Sequence, residues 1–318
     1  MDLVADIGAT NARFQCLDKE ERVGDVLVLP TADFADGADL LTDAIKRLGQ
    51  RQFNAALLAI AGPIAPGGDQ VEVTNTGLQI VQSTAATVLG CTPHLVNDFF
   101  ALAHGVPHFS ELEQMGGGEV QPLTKAVLGP GTGLGMATLI PMSSTAGPQS
   151  WQVLASEGGH ADLAPGSHLE VELWGRLATS HSPVCWETAL SGRGLVNLYE
   201  AMSAVWGVPA KNLSPGEILA QGSDMQDPVC HQTLETFCSL LGSAAGNLAL
   251  TVAATGGVYL AGGILPRMLD FVRSSPLRRR FEERGDLSAY AQQIPLLIVT
   301  ESEPGIIGAA HCLRAMSR

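Results

Sequence analysis

The chain is poor in aromatic residues, at 5%, and in charge, at 16%, and its charges lean one way, with 18 Lys and Arg against 32 Asp and Glu in 318 residues. A net charge of −14 excludes the basic footprint that nucleic acid or an anionic membrane surface requires. A protein of this kind can handle phosphate only locally, with backbone amides and a metal ion. The six cysteines form no Cys-x-x-Cys pair and no His/Cys cluster at zinc spacing. That excludes a zinc site of the common spacing and implies reduced, mostly buried thiols in a cytoplasmic protein. Asp2 and Asp6 interrupt the first apolar run and no basic segment precedes it, so no signal peptide is expected. The P-loop pattern Gly-x-x-x-x-Gly-Lys-Ser/Thr is missing. Thr236 to Pro266 has no charged residue, but Asn247 and Gly256-Gly257 interrupt it. It therefore reads as a buried helix, a turn and a buried strand, and no membrane contact is expected.

What the chain does have is a hydrophobic content of 46%, enough for a large core. Apolar runs at Leu3 to Gly8, Ala12 to Leu17 and Val23 to Leu29 read as three strands. A helix over Gly37 to Gly49 follows, then a buried strand at Ala55 to Ala61 and a strand with a polar carboxyl end at His94 to Asp98, with a short helix capped by Ser83 between them. After a polar connector at Ser110 to Gly118, the scheme repeats. Strands are expected at Ala126 to Gly129, Gly135 to Pro141 and Trp151 to Ser156, then helices, and strands at Val258 to Ala261 and Leu296 to Thr300. Three strands followed by alternating helices and strands, twice over, predict an α/β duplication with a cleft between the halves.

Chemistry concentrates at the ends of these strands. Gly129 to Gly135 holds four glycines at alternate positions, which misses the dinucleotide pattern Gly-x-Gly-x-x-Gly. It reads either as a tight turn or as a loop whose backbone N–H groups, through glycines at φ > 0, converge on phosphate. Asp6-Ile-Gly-Ala-Thr-Asn11 places a carboxylate, a glycine and two small polar side chains between strands. It is either an ordinary hairpin or a nucleotide loop in which Asp6 holds Mg²⁺ through water and Thr10 and Asn11 donate. Asp98 follows a strand, where it caps the next helix or accepts the proton of an attacking hydroxyl. Glu157, His160 and Glu187 can grip sugar hydroxyls; a metal site is the rival, weakened by the isolation of Cys185. Gly256 to Gly263 runs a strand into a glycine turn that can lie against adenine or ribose.

Taken together, Asp6-Ile-Gly-Ala-Thr-Asn-Ala-Arg13, Gly129 to Gly135, Val96-Asn-Asp-Phe99, Ser156-Glu-Gly-Gly-His-Ala-Asp-Leu-Ala-Pro165 and Leu260-Ala-Gly-Gly-Ile-Leu-Pro266 resemble bacterial glucokinases. These are hexokinase relatives in the actin-like ATPase superfamily, and the resemblance runs nearly end to end. It implies an α/β fold of duplicated, ribonuclease H-like domains, each a mixed sheet flanked by helices, with a small domain of residues 1–109 plus 302–318 and a large one of 110–301. It implies ATP-dependent phosphorylation of D-glucose to glucose 6-phosphate, the first step of glycolysis, by a cytoplasmic homodimer using ATP and Mg²⁺. On the same ground Asp98 is the general base, and Asn75, Asn97, Asp98, Glu157, His160 and Glu187 bind the sugar. Ala5, Asp6, Ile7, Gly8, Ala9, Thr10, Asn11, Gly131, Thr132, Gly133, Gly262 and Gly263 form the ATP site, with Mg²⁺ at Asp6. The Gly62-Pro63 turn closes over the sugar with Asn75. Ala9 departs from the family, which usually has glycine there, and its methyl requires φ < 0. The repressor/kinase branch carries a Cys-x-Cys-Gly-x-x-Gly-Cys zinc segment that this chain lacks, so no structural zinc is expected. Kinase activity on another hexose or an N-acetylated amino sugar, a non-catalytic sugar sensor, and a filament or chaperone ATPase are the alternatives.

Overall fold

The computed structural model describes residues 1–19, 21–50, 52–64, 67–142 and 150–317. The chain divides into two compact units, one of Met1–Ser110, Val153–Ala155 and Glu301–Arg318, the other of Glu111–Gln152 and Ser156–Thr300.

The first unit begins with β1 (Asp2–Ile7), β2 (Asn11–Asp18) and β3 (Glu21–Pro30), followed by α1 (Gly37–Leu48) and β4 (Ala56–Ile60). A small hairpin of β5 (Gln70–Glu72) and β6 (Gln79–Val81) runs directly into α2 (Gln82–Leu89), then β7 (His94–Asn97) and α3 (Asp98–Gly105). The large sheet has the order β3-β2-β1-β4-β7. Alternation along β1 divides the core. Leu3, Ala5 and Ile7 pack with α1 on one face, while Val4 packs with Leu57, Ala59 and Ala101 on the other. Helix α1 has the expected ends, with the Asp36 side chain accepting from Asp39 N–H and Gly49 closing it at φ 68°. Helix α2 differs. It starts one residue before Ser83, with no side-chain cap at Val81, because β6 delivers the chain straight into its first turn.

The second unit holds β8 (Leu112–Gln114), β9 (Lys125–Pro130), β10 (Leu134–Met142) and, apart from its Val153–Ala155, β11 (Ser150–Ser156). Then come α4 (His168–Leu177), α5 (Trp186–Ala189), α6 (Gly192–Trp206), α7 (Pro215–Ser223), α8 (Pro228–Val252) and β12 (Val258–Leu260). It ends with α9 (Leu269–Ser274), α10 (Leu277–Glu282), α11 (Ser288–Gln293) and β13 (Leu296–Val299). Its sheet order, β11-β10-β9-β12-β13-β8, repeats the first unit's order with one antiparallel edge strand added. The uncharged stretch is accounted for by α8 and β12. Phe237, Leu241 and Ala245 of α8 and Val258 and Leu260 of β12 are all fully buried in one core. No helix among the described residues is long and apolar enough to cross a membrane.

The chain then returns to the first unit as α12 (Pro304–Met316), whose Ile306, Ala309 and Leu313 pack with Val4 and Leu57. Its His311 stacks on His108 with ring centroids 3.5 Å apart. Burial, with His108 and Arg314 beside it, holds His311 down to about 4 from the usual 6.5. The unfolded chain binds this proton more readily than the folded one, so stability should fall as pH drops from 6.5 to about 4. Measured across that range, the melting temperature of the wild type relative to His311→Phe is expected to decline, because the variant lacks this proton site.

Candidate active site

In the first unit, backbone register gathers the site. Ile7 of β1 pairs with Ile60 of β4, and Ile60 with Asn97 of β7, all parallel. The residues just beyond these three strands, Gly8, Ala61 and Asp98, therefore share one sheet edge, where α/β folds present ligands. Ala5 and Ile7 themselves have fully buried side chains, packed in the core beneath this edge. The turn after β1 is closed by Gly8 N–H donating to Asn11 O at 3.0 Å. Thr10, at its tip, is exposed. Ala9 is not among the residues at positive φ, so its methyl is accommodated.

A residue that sequence reasoning passed over braces this turn. Thr31, 1% exposed, donates its hydroxyl to Gly8 O at 2.7 Å and its N–H to Thr10 O at 3.1 Å. Thr31→Val would leave the Gly8 carbonyl without that partner. It should destabilise the protein by about 1–2 kcal/mol in denaturant titration. The Thr-Ala-Asp run after β3 looks like an ordinary turn in sequence, and nothing local marks the contact.

Asp6 points at the start of α12. A Cβ at Gly305 would overlap its Oδ2, so only glycine fits there. Burial raises Asp6 to about 6 from 3.8, against the pull of Arg13 and with a further push from Glu303. Arg13, opposite Asp6 on β2, spends its guanidinium on Glu303, with Nε to Oε2 at 2.8 Å.

Asn97, not Asp98, is the cap of α3. Its Oδ1 accepts from Phe99 N–H and Phe100 N–H, each at 3.0 Å, and its Nδ2 donates to Gly62 O at 3.3 Å. That leaves Asp98 as the first helical residue, with Oδ1 accepting from Phe99 N–H at 2.9 Å. Gly62 is pinned because a Cβ there would lie 2.5 Å from Glu72 O. Thr74 N–H donates to Ala61 O at 2.8 Å, which brings the exposed Asn75, at φ 64°, beside the Gly62 turn.

The second unit carries the remaining residues. Gly131, Thr132 and Gly133 form the β9–β10 turn, closed by Gly131 N–H to Gly133 O at 2.8 Å, with Thr132 exposed. The expectation of φ > 0 fails here, since none of the four glycines from Gly129 to Gly135 adopts it. Two of them, Gly129 and Gly135, are paired strand residues. Gly133 is required instead by close approach, as a Cβ there would lie 2.5 Å from Glu187 Oε2. Gly131 and Gly263 have open space where a side chain would be, and Gly262, at φ 93°, lies against Pro130 O.

Glu157 and His160 flank a short turn after β11, with His160 N–H donating to Glu157 O at 3.0 Å. Trp186 N–H donates to Ala161 O at 3.0 Å, which joins that turn to α5 and its Glu187. His160 Nδ1 lies 4.0 Å from Cys185 Sγ. Glu157, His160 and Glu187 thus belong to one local assembly. Asp6, Asn97 and Asp98 belong to the other unit's sheet edge.

Duplicated units of this sheet order, each with a tight turn joining an antiparallel strand pair (β1 to β2, β9 to β10), define the actin-like ATPase class of fold. A family model described as Glucokinase matches residues 3–316. The glucokinase of Chromobacterium violaceum is 40% identical over 314 residues, which cover 97% of this chain and 88% of that one. A glucokinase crystal structure from an Antarctic psychrotroph has a TM-score of 0.81 at 37% identity, covering 99% of this chain and 98% of its own. That of Balamuthia mandrillaris glucokinase in complex with glucose has a TM-score of 0.82 at 25% identity, covering 98% and 93%. The chain belongs to the glucokinase family of enzymes.

Proposed function

We propose that the protein transfers the terminal phosphoryl group of ATP to the 6-hydroxyl of D-glucose, with Asp98 as general base. The observation that carries this reading is the placement of Asp98 at the sheet edge, on the same row as the Asp6 to Asn11 turn. Its Oδ1 accepts from Phe99 N–H, and the neighbouring Asn97 caps the helix. A carboxylate so placed accepts the hydroxyl proton as the oxygen attacks phosphorus.

The remaining roles follow from what each side chain offers. Glu157 and His160 accept and donate in fixed directions to sugar hydroxyls, and Asn97 offers the amide proton that Gly62 does not take. Asn75 and Gly62-Pro63 cover the sugar. Thr10 and Thr132, exposed at the tips of the two turns, donate to phosphate oxygens beside the turn amides, and Gly263 leaves room for the nucleoside. The donor set at Asp6 fits Mg²⁺. A hydrated magnesium ion takes one or two carboxylates besides phosphate, and Asp6 stands near the end of β1 beside the Gly8 to Asn11 turn. When bound, the ion neutralises charge on the phosphates.

An ADP-release assay over a panel of sugars tests the assignment. D-glucose should be used far better than mannose or N-acetylmannosamine. Equal use of N-acetylmannosamine would move the protein to amino-sugar kinases.

A further inference from the structure

Glu187 touches the phosphate-binding turn directly. Its Oε2 accepts the N–H of Leu134 at 2.8 Å, and the same oxygen is what excludes a side chain at Gly133. Five residues on, Gly192 N–H donates to Gly131 O at 2.8 Å. The segment from α5 to α6 therefore grips the turn at both flanks, at Gly131 and at Leu134. Its own shape is fixed by Ser191, whose hydroxyl donates to Glu187 O at 3.0 Å and accepts from Gly194 N–H at 2.9 Å. Leu134 is held from the other side as well, since its carbonyl is the atom that forbids a side chain at Gly159, between Glu157 and His160.

We infer that Glu187 is a positioning residue for the ATP-binding turn as well as a sugar ligand, so that one carboxylate couples the sugar site to the donor site. The inference rests on the proposed reaction and adds to it a link between its two substrates. A carboxylate has two oxygens and several lone pairs, so Oε2 can hold Leu134 while Oε1 serves the sugar. Any shift of the carboxylate that the sugar imposes is passed to Leu134 N–H, and by reciprocity a shift of the turn is passed back.

Steady-state kinetics of Glu187→Ala and Glu187→Gln separate this from a purely sugar-binding role. At saturating glucose, Glu187→Ala should raise the KM for ATP by roughly 10-fold, the scale of a lost hydrogen bond to a charged group. Glu187→Gln keeps an acceptor for Leu134 N–H and should recover most of the ATP KM, while its glucose KM stays raised. An unchanged ATP KM in Glu187→Ala, with only the glucose KM raised, would overturn the inference. Gly133→Ala supplies a second, independent reading, because its methyl must displace Glu187. In nucleotide-free protein, glucose titrated against tryptophan fluorescence should bind several-fold more weakly to Gly133→Ala, and unchanged affinity would overturn the coupling. A wild-type protein that does not phosphorylate glucose would instead overturn the functional reading, before any variant is measured.

Discussion

Asp98→Asn is expected to lower turnover by roughly 10²–10⁴ while leaving glucose binding largely intact. The asparagine has the same size, and its amide oxygen can still accept the Phe99 N–H that the carboxylate accepts at 2.9 Å. What it cannot do is take a proton from the sugar hydroxyl. Because Asn97 supplies the cap for Phe99 and Phe100, α3 should not fray, and the melting temperature should change little. That combination separates a catalytic role from a capping one. A pure cap would lose stability and keep its turnover. Measuring kcat beside equilibrium glucose binding decides it, and near-normal turnover would reassign the base.

Asp6→Asn carries the second large effect, and its two consequences have opposite signs. Loss of the carboxylate should reduce kcat/KM for magnesium–ATP by roughly 10²-fold or more, since electrostatic stabilisation by a metal amounts to several kcal/mol. Stability should move the other way. Burial lifts the folded pKa to about 6 from 3.8, so the folded state binds this proton more tightly than the unfolded chain. Stability from this group is therefore greatest below 3.8 and declines as pH rises through about 6. Above that window the protein carries a desolvated charge in full, and a neutral asparagine removes the cost. Asp6→Asn should accordingly melt higher than the wild type at about pH 8, with the gain vanishing in acid. An inactive variant that melts lower at neutral pH would show that Asp6 is structural.

The sequence was most legible where a single period governs a segment. Strands β1, β4, β9 and β12 are short apolar runs ended by glycine or a polar residue, and α1 has a clear stripe with Asp36 and Gly49 at its ends. Duplication followed from the repeated order of those runs. Elements stabilised from outside themselves were not legible. Strand β8 lies inside a polar connector and exists because Leu112 to Gln114 pair with β13, far along the chain. Helix α7, by contrast, carries a local signal, a capping box of Ser214 and Glu217 with proline at the first helical position.

The candidate site was open to reading as a set of residue types and less so as geometry. Asp6, Asp98, Glu157 and His160 stand out as carboxylates and an imidazole at or just beyond strand ends, and Glu187 as a carboxylate near the start of a helical pattern. Why each glycine is present could not be read. Gly133, Gly159 and Gly305 exclude a side chain because Glu187, Leu134 and Asp6 occupy the space, and all three contacts join segments distant in sequence. Thr31 was invisible for the same reason, since its partners Gly8 and Thr10 lie across the sheet.

Phosphorus and carbon NMR of the product formed from D-glucose, ATP and Mg²⁺ tests the central claim most directly. The account predicts ADP and glucose 6-phosphate, with phosphorus coupled to the protons on carbon 6. Phosphate on any other hydroxyl, or ATP split to inorganic phosphate with the sugar unchanged, would contradict it.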